Sequence, residues 1–127
     1  MNSKKFSIPA RIRSFKYAFR GLWWLIREEH NSWFYLAIIV LLIPVCILLR
    51  LSPIEWTLIT MCTGLVFALE LVNSAIERLA DKISPEHDPV IGKIKDLTAA
   101  AVLITAIAAA IVGLIILVPK VLMLIKP

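Results

Sequence analysis

The chain has 127 residues, 60% of them hydrophobic, with a formal net charge of +5 and a mean hydropathy of +0.86. A soluble domain of this length is far more polar, so composition excludes one and places the chain in a membrane. A single short domain, 1–127, also cannot wrap a large substrate pocket alone, and a sizeable active site would call for several copies.

Residues 1–9 are polar, and Pro9 marks the entry to regular structure. An interfacial amphipathic helix is predicted over 10–30. Ile12, Phe15, Phe19, Leu22, Trp23 and Ile26 recur at spacings of three and four, while Arg13, Lys16, Arg20 and Arg27 lie largely on other faces. Such a helix lies flat on a membrane, with its cations near anionic headgroups. Basic residues clustered in this way point to a membrane surface and away from nucleic acid.

The first span is predicted over about 32–51. Its uncharged part, 32–49, is just long enough to cross, since ~17 to 25 apolar residues suffice. Pro44 lies inside it, where neighbouring helices can re-satisfy the freed carbonyl. The apolar run begins after Asn31 without a small-residue cleavage pattern and reads as retained. A short turn containing Ser52 and Pro53 leads to a second span over about 54–80. This helix is about 40 Å long at ~1.5 Å per residue, more than the ~30 Å hydrocarbon core, so its carboxylate-bearing end must emerge. A polar loop over 84–92 with two prolines follows, and the third span is predicted over about 96–119. Small residues such as Ala99, Ala106, Ala110 and Gly113 suit it to close helix packing. Cys46 and Cys62 fall in apolar stretches and read as inert thiols. The fold class is thus an all-α membrane protein with one interfacial helix and three transmembrane helices.

Eleven Lys and Arg fall in the first 31 residues and the second loop, against three in the first loop and the tail. That asymmetry predicts a multi-pass protein with its amino terminus and second loop in the cytoplasm.

Glu70, Asn73, Glu77 and Asp81 share one face of the second helix, less than a quarter-turn wide and about 16 Å long. Carboxylates at a membrane boundary are costly without a partner, and Glu70 is flanked by Ala68, Leu69, Leu71 and Val72. Glu28, Glu29, His30 and Asn31 end the interfacial helix in the same layer, and Lys95 and Asp96 stand before the third span. Asp96 can serve as that helix's N-cap or as a functional group, and the two roles are compatible. His30 and His87 show no ligand spacing. Carboxylates at this density suit a hard dication such as magnesium, which is typically held by one or two carboxylates plus substrate phosphates. A nearby Lys would neutralise a transferred phosphoryl group. The four glycines, Gly21, Gly64, Gly92 and Gly113, are isolated, so no phosphate-binding glycine loop exists.

With Glu70-Leu-Val-Asn-Ser-Ala-Ile-Glu77, Asp81, Lys95-Asp96 and the Ala-rich third span, the chain resembles the prokaryotic diacylglycerol kinase family. These are small trimeric membrane lipid kinases that include the undecaprenol kinases. Lys16-Tyr17-Ala-Phe-Arg-Gly21 and Glu29-His-Asn31 fit the same pattern. The resemblance implies transfer of the ATP γ-phosphate to a lipid hydroxyl, diacylglycerol or undecaprenol, at the prokaryotic inner membrane. It implies Glu70 as catalytic base, and Glu29 and Glu77 as ligands of the Mg2+ that accompanies ATP. Tyr17, Asn73, Glu86, Lys95 and Asp96 would contact the nucleotide, and the sites would be shared between subunits of a homotrimer. Ser32-Trp33 stands where the family more often has Phe-Arg, and Ala99 where the diacylglycerol branch has Ser. Residues 113–120 look more like the undecaprenol branch. The alternative reading is a small transporter with Glu70 as its proton- or cation-coupling carboxylate. It leaves Glu77, Asp81, Lys95 and Asp96 without a function, and no inverted repeat is visible.

Overall fold

A computed structural model describes residues 7–86 and 88–126. Lys4, Lys5 and His87, used in the charge count and the loop reading, lie outside the described residues. The described chain is four helices in the order α1 (Ile8–Glu28), α2 (His30–Leu48), α3 (Pro53–Ile83) and α4 (Pro89–Ile125). The last three are long and apolar enough to cross a membrane. Their large apolar side chains, among them Ile38, Leu41, Leu65, Ile104 and Leu114, point outward, as they do in a lipid-facing surface.

Between α1 and α2 the chain does not run on as one helix. Glu29 adopts an extended conformation (φ −102°, ψ 112°) and separates the two. The buried Ser32 hydroxyl lies 3.0 Å from the Leu25 carbonyl oxygen and 2.6 Å from that of Glu29. Both carbonyls also accept a backbone N–H, Leu25 from Glu29 at 3.0 Å and Glu29 from Ser32 at 3.1 Å, so the hydroxyl adds a second bond to each across the break. The interfacial helix therefore ends at Glu28, not at residue 30.

α2 ends in a Schellman motif. The Leu51 N–H donates to the Cys46 carbonyl at 3.2 Å and the Arg50 N–H to Ile47 at 3.1 Å. Arg50 takes the left-handed conformation (φ 51°) that this motif requires, a position where glycine is usual. α3 then starts on a capping box. The Glu55 N–H donates to Ser52 Oγ at 3.3 Å, and the Ser52 N–H donates to Glu55 Oε2 at 2.7 Å. Leu49 and Leu51 join Cys46, Ile59 and Ile116 in the main core cluster, against which Leu42, Trp56, Val112 and Leu117 pack. This cluster sits at the end of the bundle away from the acidic stripe.

α4 differs from the expected third span at both ends. The Asp88 carboxylate accepts from the Val90 N–H at 2.7 Å and the Ile91 N–H at 3.4 Å, with Pro89 in the first turn. The helix thus starts at 89, and residues 89–92 of the expected loop are its first turn. Asp88 is the N-cap, which corrects the reading of Asp96 as a cap; Asp96 lies inside the helix. At the other end α4 runs through Pro119 to Ile125, because a transmembrane helix tolerates the lost N–H where its neighbours compensate.

α3 and α4 pack as the main antiparallel pair, with α2 touching α3 more sparingly. An ion pair closes each end: Lys95 Nζ to Asp81 Oδ1 at 2.9 Å, and Lys120 Nζ to Glu55 Oε2 at 3.1 Å. Ser52→Ala removes the hydroxyl half of the capping box, and loss of such a cap costs about 1 kcal/mol. Thermal unfolding in detergent is expected to show that loss. Phosphotransfer per folded molecule should stay at the wild-type value, because the box lies at the opposite end from the acidic stripe.

Candidate active site

The acidic stripe forms as the helical period requires. α3 carries Glu70, Asn73, Glu77 and Asp81 on one face of unbroken helix. Within this face burial falls towards the helix end. Glu70 is 5% exposed and Asn73 9%, whereas the Asp81 side chain is 68% exposed and engages Lys95. Glu29 and Glu77 both lie close enough to Glu70 to act on it electrostatically. The break between α1 and α2 thus delivers a carboxylate to a stripe that sits more than forty residues later.

Glu70 is repelled by two other carboxylates, Glu29 and Glu77, and the available compensation is uneven. Among the described residues no ion pair reaches Glu70 or Glu77. Glu29 is held by Arg78, whose Nη2 lies 3.1 Å and Nε 3.3 Å from Glu29 Oε1, while Nη1 donates to Glu28. Lys95 pairs with Asp81 and stays within electrostatic range of Glu77. Buried charge without a partner is held at a cost, and such costs concentrate at sites that bind something.

Asn73 adds a second such cost. Its Oδ1 is buried and accepts no hydrogen bond among the described residues. One turn along α3 from Glu70, this acceptor suits a donor such as a hydroxyl or an amine. Tyr35 on α2 comes within electrostatic range of Glu70. It also lines an apolar slot of about 260 Å³ between α2, α3 and α4, together with Phe67, Cys62, Ala106 and Gly113. A second cleft, of about 430 Å³, lies between α1 and α3 and is lined by Trp24, Glu28, Glu29, Ser74 and Arg78.

Of the residues singled out from sequence, Glu70, Asn73 and Glu77 share one face of α3, and Glu29 comes within electrostatic range of Glu70. Lys95 is joined to them through Asp81. Asp96 follows Lys95 on α4 and makes no ion pair among the described residues. Tyr17 and Glu86 are not gathered in by one chain. Tyr17 lies about 18 Å back along α1 from Glu29 at ~1.5 Å per residue, with its exposed ring beside Arg20. Glu86 is in the loop, where its carbonyl accepts from the Ser84 hydroxyl at 2.9 Å. Sequence reading misses Arg78, Ser32 and Tyr35. Their partners stand far away along the chain or are backbone atoms, so helical spacing gives no signal for them.

One buried carboxylate, Glu70, with partly exposed acidic groups around it at one end of three membrane-crossing helices, is an arrangement suited to a membrane-embedded enzyme that handles phosphate. The profile of the prokaryotic diacylglycerol kinase family matches residues 16–117. An undecaprenol kinase from Bacillus subtilis is 39% identical over 109 residues, covering 86% of this chain and 89% of that protein. A diacylglycerol kinase from Synechocystis is 35% identical over 117 residues, covering 91% and 67%. One from Haemophilus influenzae is 36% identical over 104 residues, covering 82% and 86%. The chain belongs to the prokaryotic diacylglycerol kinase family. It is a membrane kinase, and kinase activity implies the use of ATP.

Asn73→Leu fills similar volume without the orphaned acceptor. Removing a buried unsatisfied polar group is neutral or stabilising. The variant is expected to unfold at the same temperature as the wild type or higher, while phosphotransfer falls at least ten-fold. A loss of stability together with unchanged transfer would make Asn73 a packing residue.

Proposed function

We propose that the chain transfers the γ-phosphoryl group of ATP to the hydroxyl of a membrane lipid, with undecaprenol preferred over diacylglycerol. The observation that carries this reading is the Glu70 carboxylate. It is 5% exposed, free of ion pairs among the described residues, and faces Glu29 and Glu77. The acceptor preference draws on the similarity to the Bacillus subtilis undecaprenol kinase and on residues 113–120.

In this mechanism Glu70 accepts the proton of the lipid hydroxyl as its oxygen bonds to the γ-phosphorus and the bond to the ADP oxygen breaks. Lys95, released from Asp81, neutralises charge on the transferred group. Asn73 and Asp96 hold the nucleotide, and Tyr17 and Glu86 join them from a neighbouring copy in a homotrimer. The apolar slot beside Tyr35 suits a hydrocarbon chain whose polar end reaches Glu70.

Magnesium fits the donor set. Among the described residues Glu77 carries no ion pair, and Glu29 engages Arg78 through Oε1 alone. Among the described residues no three His, Cys, Asp or Glu side chains cluster as a metal site. Two carboxylates without an all-protein cage suit an ion that shares its coordination with phosphates. Glu29 and Glu77 would hold it, and it would supply charge neutralisation at the phosphates. The excess of Lys and Arg on one side supports a cytoplasmic site, where ATP is available.

Labelled ATP in mixed micelles tests the reading, with undecaprenol and diacylglycerol supplied separately, with and without magnesium. Labelling of undecaprenol should depend on magnesium and exceed that of diacylglycerol. Glu70→Gln should lower it by at least 100-fold, the scale of a lost general base, while ATP binding persists. Stronger labelling of diacylglycerol would reassign the acceptor. No labelling, combined with ATP-independent flux into vesicles, would instead favour Glu70 as the coupling carboxylate of a transporter.

A further inference from the structure

Two adjacent carboxylates stand at the α1–α2 junction, and one guanidinium binds both. Arg78 Nη1 donates to Glu28 Oε2, while Nε and Nη2 converge on Glu29 Oε1 at 3.3 and 3.1 Å. The pattern is asymmetric, because Glu29 Oε2 receives no bond from Arg78. Glu29 itself lies in the extended link between two helices, so no helical neighbour on its own element fixes its side chain. Arg78 follows Glu77 on α3 and is turned about 100° from it, which aims it across the 430 Å³ cleft towards α1 instead of along the stripe.

Its effect on folding is small. The side chains are 48%, 36% and 28% exposed for Arg78, Glu28 and Glu29, and ion pairs at that exposure contribute little to stability. Its effect on geometry is larger. Two N–H groups of a planar fork converging on one oxygen hold Oε1 in place more firmly than a point charge does, and leave Oε2 uncommitted. Glu29 is also within electrostatic range of Glu70, so its orientation decides what the acidic group presents.

We propose that Arg78 is a positioning residue that grips Glu29 through Oε1 and leaves Oε2 for the divalent cation accompanying ATP. The inference rests on the lipid-kinase reading above. Arg78 acts on cation binding in two opposed ways: its charge repels the cation, and its fork orients the ligand. Outer partners of metal ligands typically contribute 10- to 100-fold in affinity through orientation, so orientation prevails here.

Mn2+ with a non-hydrolysable ATP analogue serves as the probe, titrated against the full chain in micelles with free Mn2+ read by electron paramagnetic resonance. Arg78→Ala is expected to weaken Mn2+ binding about ten-fold or more. In the lipid assay it should raise the half-saturating magnesium concentration by a similar factor while kcat at saturating magnesium stays within about two-fold. Arg78→Lys keeps the charge but cannot fork, and should be weakened alike. Unchanged or tighter Mn2+ binding by Arg78→Ala overturns the proposal, as does Arg78→Lys behaving as wild type. Should Arg78→Ala not fold, Arg78→Lys decides alone. Wild-type protein that labels no lipid would overturn the kinase reading instead, a result distinguishable from either failure in the Mn2+ titration.

Discussion

Two ion pairs at opposite ends of α3 and α4 set how the molecule sits in its membrane. Glu55 and Asp81 are about 39 Å apart along α3, and Lys95 and Lys120 about 38 Å apart along α4, at ~1.5 Å per residue. The near-equal spacing keeps the two antiparallel helices in register. Both spacings exceed the ~30 Å hydrocarbon layer, so each pair can rest in a headgroup region while the uncharged runs 56–69 and 97–119 meet lipid. A shift of α3 along its axis would drag one pair into hydrocarbon, where charge is costly. The depth of Glu70, and with it the depth at which a lipid hydroxyl must be met, follows from that constraint.

The acidic end is built differently from the other. Around Cys46, Leu49, Ile59 and Ile116 the helices meet through apolar side chains. At the acidic end they meet through a buried serine hydroxyl, an arginine fork and a buried carboxylate in range of two others. The first arrangement stabilises the fold. The second holds unfavourable groups together, which a structure maintains where those groups have a use.

What the sequence made legible was local. Glu70, Asn73, Glu77 and Asp81 can be grouped by eye because a 3.6-residue period acts on spacings of three and four, and long uncharged runs mark spans by length alone. The start of α4 is harder. Pro85, His87 and Pro89 read as loop, yet an Asp followed by Pro is equally a start signal, and Asp88 uses it. Arg78 lay beyond reach for another reason. Its partners are 49 and 50 residues away, and no local period connects them. Ser32 looks like a plain departure from the family pattern until the break at Glu29 gives its hydroxyl two carbonyls to meet.

α2 is attached unevenly. Its far end is embedded, with Cys46 fully buried and Leu49 8% exposed, while the slot beside Tyr35 separates its middle from α3 and α4. The helix therefore spans about 28 Å at ~1.5 Å per residue between an anchor near Cys46 and a second one at Ser32 and the Arg78 fork, which hold Glu29 at its near end. Over that length one degree of tilt about either anchor moves the other end by about 0.5 Å, a displacement comparable to the tolerance of a preorganised binding geometry. The accuracy with which a carboxylate is placed at one membrane face thus depends on packing at the opposite face as well as on the bonds beside it.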